Sequence, residues 1–231
     1  MDSSTSLQDY RKIYMPSSSA TTETDIANMA LIMLGQQPIT SLDDSNNRAV
    51  LANKRLADVR DSVLRAHPWN SAVMRASLTA DGTAPTWGFD KRYALPADFV
   101  RMISIEDPLV EYKIEAGNSG STSGNYILSD ATVMKILYIF RLTDVSKMDD
   151  TLKHAIATRL AAEIGQAVTG DINTANMMLE KYQLILMQAT FEDSQAHHSI
   201  ETIHGGHWLD SRLGGGVYRD FPALNSSGLP L

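Results

Sequence analysis

Residues 47–69 read NRAVLANKRLADVRDSVLRAHPW, and this stretch decides how the first half of the chain folds. Small and aliphatic residues recur in it at spacings of three and four, which places them on one stripe of a helix. The stripe consists of Ala49, Ala52, Leu56, Val59, Val63 and Ala66. Charged residues fill the remaining surface. The pattern predicts a helix over 47–66, about 30 Å long, whose alanine-rich seam lets a neighbouring helix approach closely.

The carboxyl end of this helix is fixed by Pro68. Proline has no amide hydrogen and pushes the preceding residue, His67, out of the helical region. We therefore predict a structural corner at His67, Pro68 and Trp69, with the tryptophan ring packed against the helices. We do not expect His67 to be a catalytic base, because nothing nearby in the sequence supplies a partner that would orient it.

Two further helices are predicted in the first part of the chain. One begins with Thr24 or Asp25 as its cap and ends at Gly35, which tolerates a left-handed stop. It is apolar on nearly every side, so it must be surrounded by other elements. The other is a short helix over 71–78, directly after the corner.

The last third of the chain predicts two more helices. An acidic pair at 149–150 precedes a broad apolar face, and Gly170 provides a natural stop. A second helix follows, with Asn173 as its predicted cap. We interpret its methionine-rich stripe as part of the core, because methionine fills irregular gaps. That stripe comprises Met177, Met178, Tyr182, Ile185, Leu186 and Ala189.

Strand patterns dominate between residues 81 and 147. Val110, Tyr112 and Ile114 alternate with charged residues, which is typical of a half-exposed strand. A hairpin is predicted to turn at 129–131, and its second arm is apolar on both faces, so that arm should be a central strand or a strand packed on both sides. The uncharged segment 116–125, AGNSGSTSGN, is predicted to be a flexible loop, either featureless or ordered only against a partner.

These elements predict an α+β fold. We expect an antiparallel helical bundle with an inserted small antiparallel β subdomain and extended N- and C-terminal arms. The predicted parts are a flexible leader (1–23), the first part of the bundle (24–80), the β-rich insertion (81–147), the second part of the bundle (148–196) and a C-terminal docking arm (197–231).

The C-terminal arm has a mixed composition. It lacks helical or strand periodicity and contains three consecutive glycines, so it cannot bury enough surface alone to offset its ordering entropy. It nevertheless carries large apolar side chains that disordered linkers usually lack. We predict that these anchors bind another subunit or protein. They are Trp208, Tyr218, Phe221, Leu224, Leu229 and Leu231.

Composition narrows the function classes. The chain has 27 acidic and 20 basic residues, a net charge of -7, which argues against a protein that grips nucleic acid through its phosphates. It has no cysteine, which excludes thiolate zinc sites, catalytic cysteine and disulfides. The longest apolar run, 29–35, is too short to span a bilayer, and the leader has no secretory signal core. We expect a soluble protein that does not contact a membrane.

The strongest enzyme-like signal is a histidine cluster in the C-terminal arm, because imidazoles at such density can bind a metal ion. The cluster comprises His197, His198, His204 and His207, with Glu201 among them. Its spacing matches no zinc signature, so no metal, cofactor or catalytic residue is expected. The chain also lacks a phosphate-binding loop and a Gly-x-Ser-x-Gly elbow. A metal-dependent hydrolase that uses this cluster is kept as an alternative function. A small helical DNA-binding or packaging factor is kept as a further alternative.

Four segments of the chain share their order with a known family. They are DIANMALIMLGQQPITSLDD, ANKRLADVRDSVLRAHPWNSAVMRASL, APTWGFDKRYALPADFVRMISI and DDTLKHAIATRLAAEIGQAVTGD. The most specific pieces are 60–70, with the His-Pro-Trp corner, and 87–98, with a Tyr-x-Leu-Pro-x-Asp core. In this order the segments resemble the head-to-tail adaptor proteins of tailed bacteriophages, the group related to tail tubular protein A, and the resemblance covers 24–195.

The resemblance implies a structural virion protein without enzyme activity. Such adaptors form a ring, typically a dodecamer, beneath the portal protein and above the tail or nozzle proteins, and double-stranded DNA leaves the capsid through the ring as passing cargo. The resemblance also implies a location in the virion neck or tail, with assembly in the host cytoplasm. If the protein were instead the metal-dependent hydrolase considered above, the resemblance would imply that this hydrolase is associated with the tail.

Overall fold

The computed structural model describes residues 22–119 and 122–196. These residues form a mixed α+β structure with four α-helices and two antiparallel sheets of three strands each. The helices are α1 (Glu23–Met33), α2 (Asn47–Ala66), α3 (Asp150–Thr169) and α4 (Ile172–Ala196). The strands are β1 (Val73–Leu78), β2 (Lys91–Ala94), β3 (Phe99–Ile105), β4 (Lys113–Ser119), β5 (Thr122–Ser129) and β6 (Met134–Phe140).

Helix α2 has the bounds that the sequence predicts. Asn46 caps it, since its Oδ1 accepts a hydrogen bond from the amide of Ala49 at 2.9 Å. The predicted stripe is buried from Ala49 to Val63, whereas Ala66 is exposed. Both α1 and α2 pack against α3, so α2 is packed against another helix, as its alanine-rich stripe predicts.

Helix α1 begins earlier than predicted. Thr22 is its cap: Thr22 Oγ1 accepts from the amide of Asp25 at 3.2 Å, and Asp25 Oδ2 accepts from the amide of Thr22 at 3.0 Å. Asp25 is thus the reciprocal partner in a capping box, which is why the prediction of Thr24 or Asp25 as the cap was wrong. The predicted left-handed stop at Gly35 is confirmed, with φ at +69°.

The segment 71–78 is a strand, and the prediction of a third short helix there was wrong. A single 3-10 turn over Asn70–Ala72 follows the corner, and β1 then pairs antiparallel with β6, from Val73 opposite Ile139 to Leu78 opposite Met134. Apolar and polar residues alternate from Met74 to Leu78 of β1, and pairing with a distant strand outweighs the local helical preference.

The two sheets have the strand orders β1-β6-β3 and β2-β5-β4. The prediction that the second arm forms a central strand is confirmed, because β6 lies between β1 and β3. The predicted hairpin is wrong, since β5 and β6 belong to different sheets and 130–133 passes from one sheet to the other. Both sheets contribute to a second apolar cluster, which comprises Tyr93, Ile127, Met134, Ile136 and Tyr138.

The described residues of 116–125 are strand, so the prediction of a flexible loop was wrong there. Strands β4 and β5 pair as far as Ser119 opposite Thr122. Gly117 makes room for an aromatic ring, because a Cβ at this position would lie 3.2 Å from Tyr126. The strand predicted to alternate through Val110 and Tyr112 begins only at Lys113.

Parts of the predicted organisation lie outside the described residues. These are the leader as far as residue 21, the docking arm 197–231 with its six anchors, and the histidine cluster. Within the described ranges, none of the helices combines the length and apolarity needed to cross a bilayer.

Candidate partner-binding surface

The predicted corner residues lie where α2 stops. His67 leaves the helix with extended dihedrals of -139° and 146°, as a residue before proline must. Trp69 is 2% exposed, and its Nε1 donates a hydrogen bond to the Val63 carbonyl at 2.9 Å. The His67 and Trp69 rings meet edge to face with centroids 4.8 Å apart. The corner thus buries a large ring and turns the chain toward β1.

The Arg-Asp pair before the corner links the helices to the first sheet. Arg60 Nη1 donates to Glu23 Oε1 at 2.8 Å, next to the start of α1. The Arg60 guanidinium also lies 3.5 Å from Asp61 Oδ1. Asp61 Oδ2 in turn accepts from Arg141 Nε, just after β6, at 2.8 Å. These ion pairs bridge α1, α2 and the segment after β6.

The residues that the sequence offers for metal binding are not brought together in the described structure. The histidine cluster lies outside it, and no group of three or more histidine, aspartate or glutamate side chains in 22–119 and 122–196 could hold a metal ion. The most distinctive functional feature among the described residues is an apolar surface.

That surface is one face of α4. Met177, Leu184, Met187 and Phe191 are 60%, 64%, 68% and 64% exposed. Their spacings of seven, three and four residues place them on one stripe of the helix, which we call the α4 stripe. Monomeric proteins rarely leave several large apolar side chains in water on one helix face, and such faces commonly mark a binding surface.

The opposite side of α4 belongs to the helical core. Met178, Tyr182 and Ala189 are buried there, and the guanidinium of Arg159 on α3 lies 5.6 Å from the centre of the Tyr182 ring. Burial raises the pKa of the Tyr182 hydroxyl. Helix α4 is therefore apolar on two sides, and the described residues cover only one of them.

The interpretation of the methionine-rich stripe as core holds in part. Met178, Tyr182 and Ala189 are buried, and Ile185 and Leu186 pack against the core at its edge. Met177 is exposed, so its assignment to the core was wrong. The signal that sequence reasoning missed is the seven-residue spacing of Met177, Leu184 and Phe191, which runs beside the core pattern on the same helix.

The start of α4 is fixed by a two-residue turn after α3. Gly170 adopts a left-handed conformation with φ at +76°, which glycine tolerates without a steric cost. Asp171, rather than the predicted Asn173, is the cap: its carboxylate accepts from the amides of Asn173 at 2.9 Å and Thr174 at 3.2 Å. It also accepts from Thr174 Oγ1 at 2.7 Å.

A close approach between α3 and α4 fixes their crossing. A Cβ at Gly165 would lie 3.3 Å from both Cα and Cβ of Ala175, which is tighter than ordinary van der Waals contact. Small residues at this point let the two helices meet near their shared turn. Together with the Asp171 cap, this contact fixes the direction in which α4 presents its stripe.

The Asp171 cap predicts a pH-dependent contribution to stability. The hydrogen bonds from Thr174 Oγ1 and the two amides lower the pKa of Asp171 from 3.8. A lowered pKa in the folded state means that the stabilisation is fully present above the ordinary pKa and is lost as pH falls through the lowered value. Asp171→Ala is therefore expected to have a lower Tm than the wild type at pH 7, and the difference should shrink at acid pH below 3.8.

Thermal unfolding followed by circular dichroism at several pH values tests this prediction. Glu180→Ala is the matched control, because Glu180 is an exposed carboxylate on the same helix and makes no hydrogen bond with another described residue. The control is expected to follow the wild type at every pH. A difference between Asp171→Ala and wild type that stays constant down to low pH would contradict the assignment of the cap.

The sequence matches no protein-family model and has no significant similarity to a curated protein. The described residues offer an apolar helix face, a network of ion pairs that joins the helices to a sheet, and capped helix ends.

Proposed function

We propose that this chain is a subunit of the ring-shaped head-to-tail adaptor of a tailed bacteriophage, without enzyme activity. The observation that carries the proposal is the α4 stripe, in which Met177, Leu184 and Met187 are each more than half exposed on a helix whose other side lies in the core. A second protein surface that covers these side chains would gain hydrophobic free energy by burying them.

In this proposal the four helices form an antiparallel bundle, and the two sheets are its inserted β subdomain. The leader and the C-terminal segment are arms that reach neighbouring proteins. A closed ring requires two different contact surfaces on each subunit. The α4 stripe is one of them, and the exposed Ile32 on α1 is a candidate contact for the other.

The charge and the arms support the same proposal. An acidic chain of net charge -7 suits a channel through which DNA passes without being held. The six apolar anchors after residue 197 are proposed to bind the portal protein, and repeating a weak contact around a ring multiplies its effect. The proposed location is the neck or tail of the virion, with assembly in the host cytoplasm.

Native mass spectrometry tests this function directly. The purified protein is measured alone and after mixing with the portal protein of the same virion. We expect an assembly of about twelve copies, either spontaneously or on the portal, since ring closure buries the same two surfaces on every subunit. A protein that stays monomeric alone and does not associate with the portal would contradict the proposal.

A further inference from the structure

The face of the first sheet that carries Arg75 forms an open trough. Arg75 on β1 and Ser104 on β3 both stand opposite Leu137 of the central strand β6, and residues directly opposite one another project from the same face of a sheet. Two residues further along β1, on the same face, Ser77 stands opposite Lys135. The trough has a volume of about 360 Å³. We call it the sheet trough, and its principal lining residues are Arg75, Ser77, Ser104, Glu106, Lys135 and Leu137.

The positive charges of this face are only partly balanced. Lys135 is neutralised by Glu106, whose carboxylate lies 2.8 Å from the lysine Nζ. Arg75 is exposed and forms no ion pair or hydrogen bond with another residue of the described ranges. Arg101 shares the face, because it stands opposite Ile139 of β6. Within 22–119 and 122–196, two guanidinium groups therefore lack an acidic partner, on a chain that is acidic as a whole.

Arg101 adds a second and independent observation. Its Nε is buried and has no hydrogen-bond acceptor among the described residues. Buried polar groups in native proteins nearly always have a partner, and each exception calls for an explanation. The outer nitrogens of the Arg101 guanidinium are not among the buried unpartnered atoms, and they are the part of this side chain that another molecule could contact.

We propose that the sheet trough binds a carboxylate-rich, extended segment of a partner protein. The planar guanidinium group binds carboxylates through two parallel hydrogen bonds, and Arg75 is free to do so. The hydroxyls of Ser77 and Ser104 are further donors along the same line, while Leu137 offers an apolar floor to the segment. This inference rests on the proposed adaptor function and deepens it by assigning the surface that an acidic partner occupies.

A polypeptide fits this charge distribution better than nucleic acid. Binding to a phosphate backbone draws its free energy from many basic side chains that displace counterions. The trough lining offers one unbalanced positive charge, Arg75, beside an ion pair and a leucine, and Arg101 lies further along the same face. That arrangement matches a short segment with a few carboxylates and an apolar residue.

Fluorescence anisotropy with labelled decaglutamate tests the proposal. We choose a salt concentration of about 100 mM, at which the screening length is about 10 Å, so that remote acidic groups on the chain are screened. The full-length wild-type protein is expected to bind the peptide. Arg75→Glu is expected to weaken binding by about tenfold, because it removes one charge-assisted pair and adds a repulsive carboxylate.

Arg65→Glu is the matched control. Arg65 is an exposed arginine on α2, so the substitution changes the net charge by the same amount at a different place. It is expected to bind decaglutamate like the wild type. Equal weakening in both variants would overturn the proposal, and so would a wild type that does not bind the peptide.

A labelled deca-thymidylate at the same salt concentration separates the two ligand classes. The wild type could bind this oligonucleotide more tightly than decaglutamate and lose that binding in Arg75→Glu. This result would overturn the peptide proposal in favour of nucleic acid. The mass of the assembly is measured on the same samples. If the wild type assembles but does not bind decaglutamate, only the proposal for the sheet trough is refuted. If it binds decaglutamate but does not assemble, alone or with the portal protein, only the adaptor function is refuted.

Discussion

Trp69→Ala is expected to lower the free energy of unfolding by about 3–5 kcal/mol, the range measured when large buried aromatic residues are truncated. The Trp69 ring is 2% exposed and belongs to the helical core, so its removal leaves a cavity at the end of α2. The substitution also removes a hydrogen bond. The Trp69 indole Nε1 donates this bond to the Val63 carbonyl in the last turn of α2, at 2.9 Å.

Denaturation in urea, with Trp69→Phe and Trp87→Ala as companions, separates these contributions. Trp69→Phe keeps most of the ring and loses the donor, so it should cost about 1–3 kcal/mol, as expected for a buried acceptor left unpaired. Trp87 is 82% exposed, and Trp87→Ala should change the stability by at most about 0.5 kcal/mol. If Trp69→Ala were no more destabilising than Trp87→Ala, the corner would not hold the helices together.

The helices were predictable because their signals are local. The bounds of α2 follow from a cap at Asn46 and a proline at residue 68, and the stop at Gly35 follows from its lack of a side chain. The exact cap was harder to predict where two candidates lie close together. At the start of α1 both Thr22 and Asp25 take part in the same capping box, and the sequence alone does not say which one is the cap.

The sheets were harder to predict because strand pairing is not local. Strand β1 pairs with β6, which begins 56 positions after the end of β1, so nothing near 71–78 indicates its partner. The hairpin was predicted from the proximity of β5 and β6 in sequence, yet the two strands lie in different sheets. At Gly117, glycine was interpreted as flexibility, whereas it accommodates the ring of Tyr126.

The α4 stripe was missed for a different physical reason. A buried core and a protein interface use the same apolar side chains, so composition does not distinguish them. Met177 and Met178 are neighbours in the sequence, and one is 60% exposed while the other is 8% exposed. Only the packing of α4 against the rest of the chain decides which of its two apolar faces is covered.

The double substitution Leu184→Glu with Met187→Glu is expected to abolish assembly and to leave the fold intact. Both side chains are more than 60% exposed, so neither change disturbs the core, and glutamate is a good helix former. The α4 stripe extends over 177–191, about 21 Å of helix, which suits the centre of an interface that buries about 800 Å² on each partner. An unpaired carboxylate in such an interface loses its hydration without compensation.

Native mass spectrometry together with circular dichroism measures this effect. The assembled fraction should fall by more than about tenfold, because burying even one unpaired charge costs several kcal/mol, while Tm stays close to that of the wild type. Ala57→Glu with Ser62→Glu is the matched control, because both residues are exposed on α2 and the change in charge is the same. If the control lost assembly to the same extent, the effect would come from net charge. If the variant on α4 still assembled, the stripe would not be the surface that the subunits share.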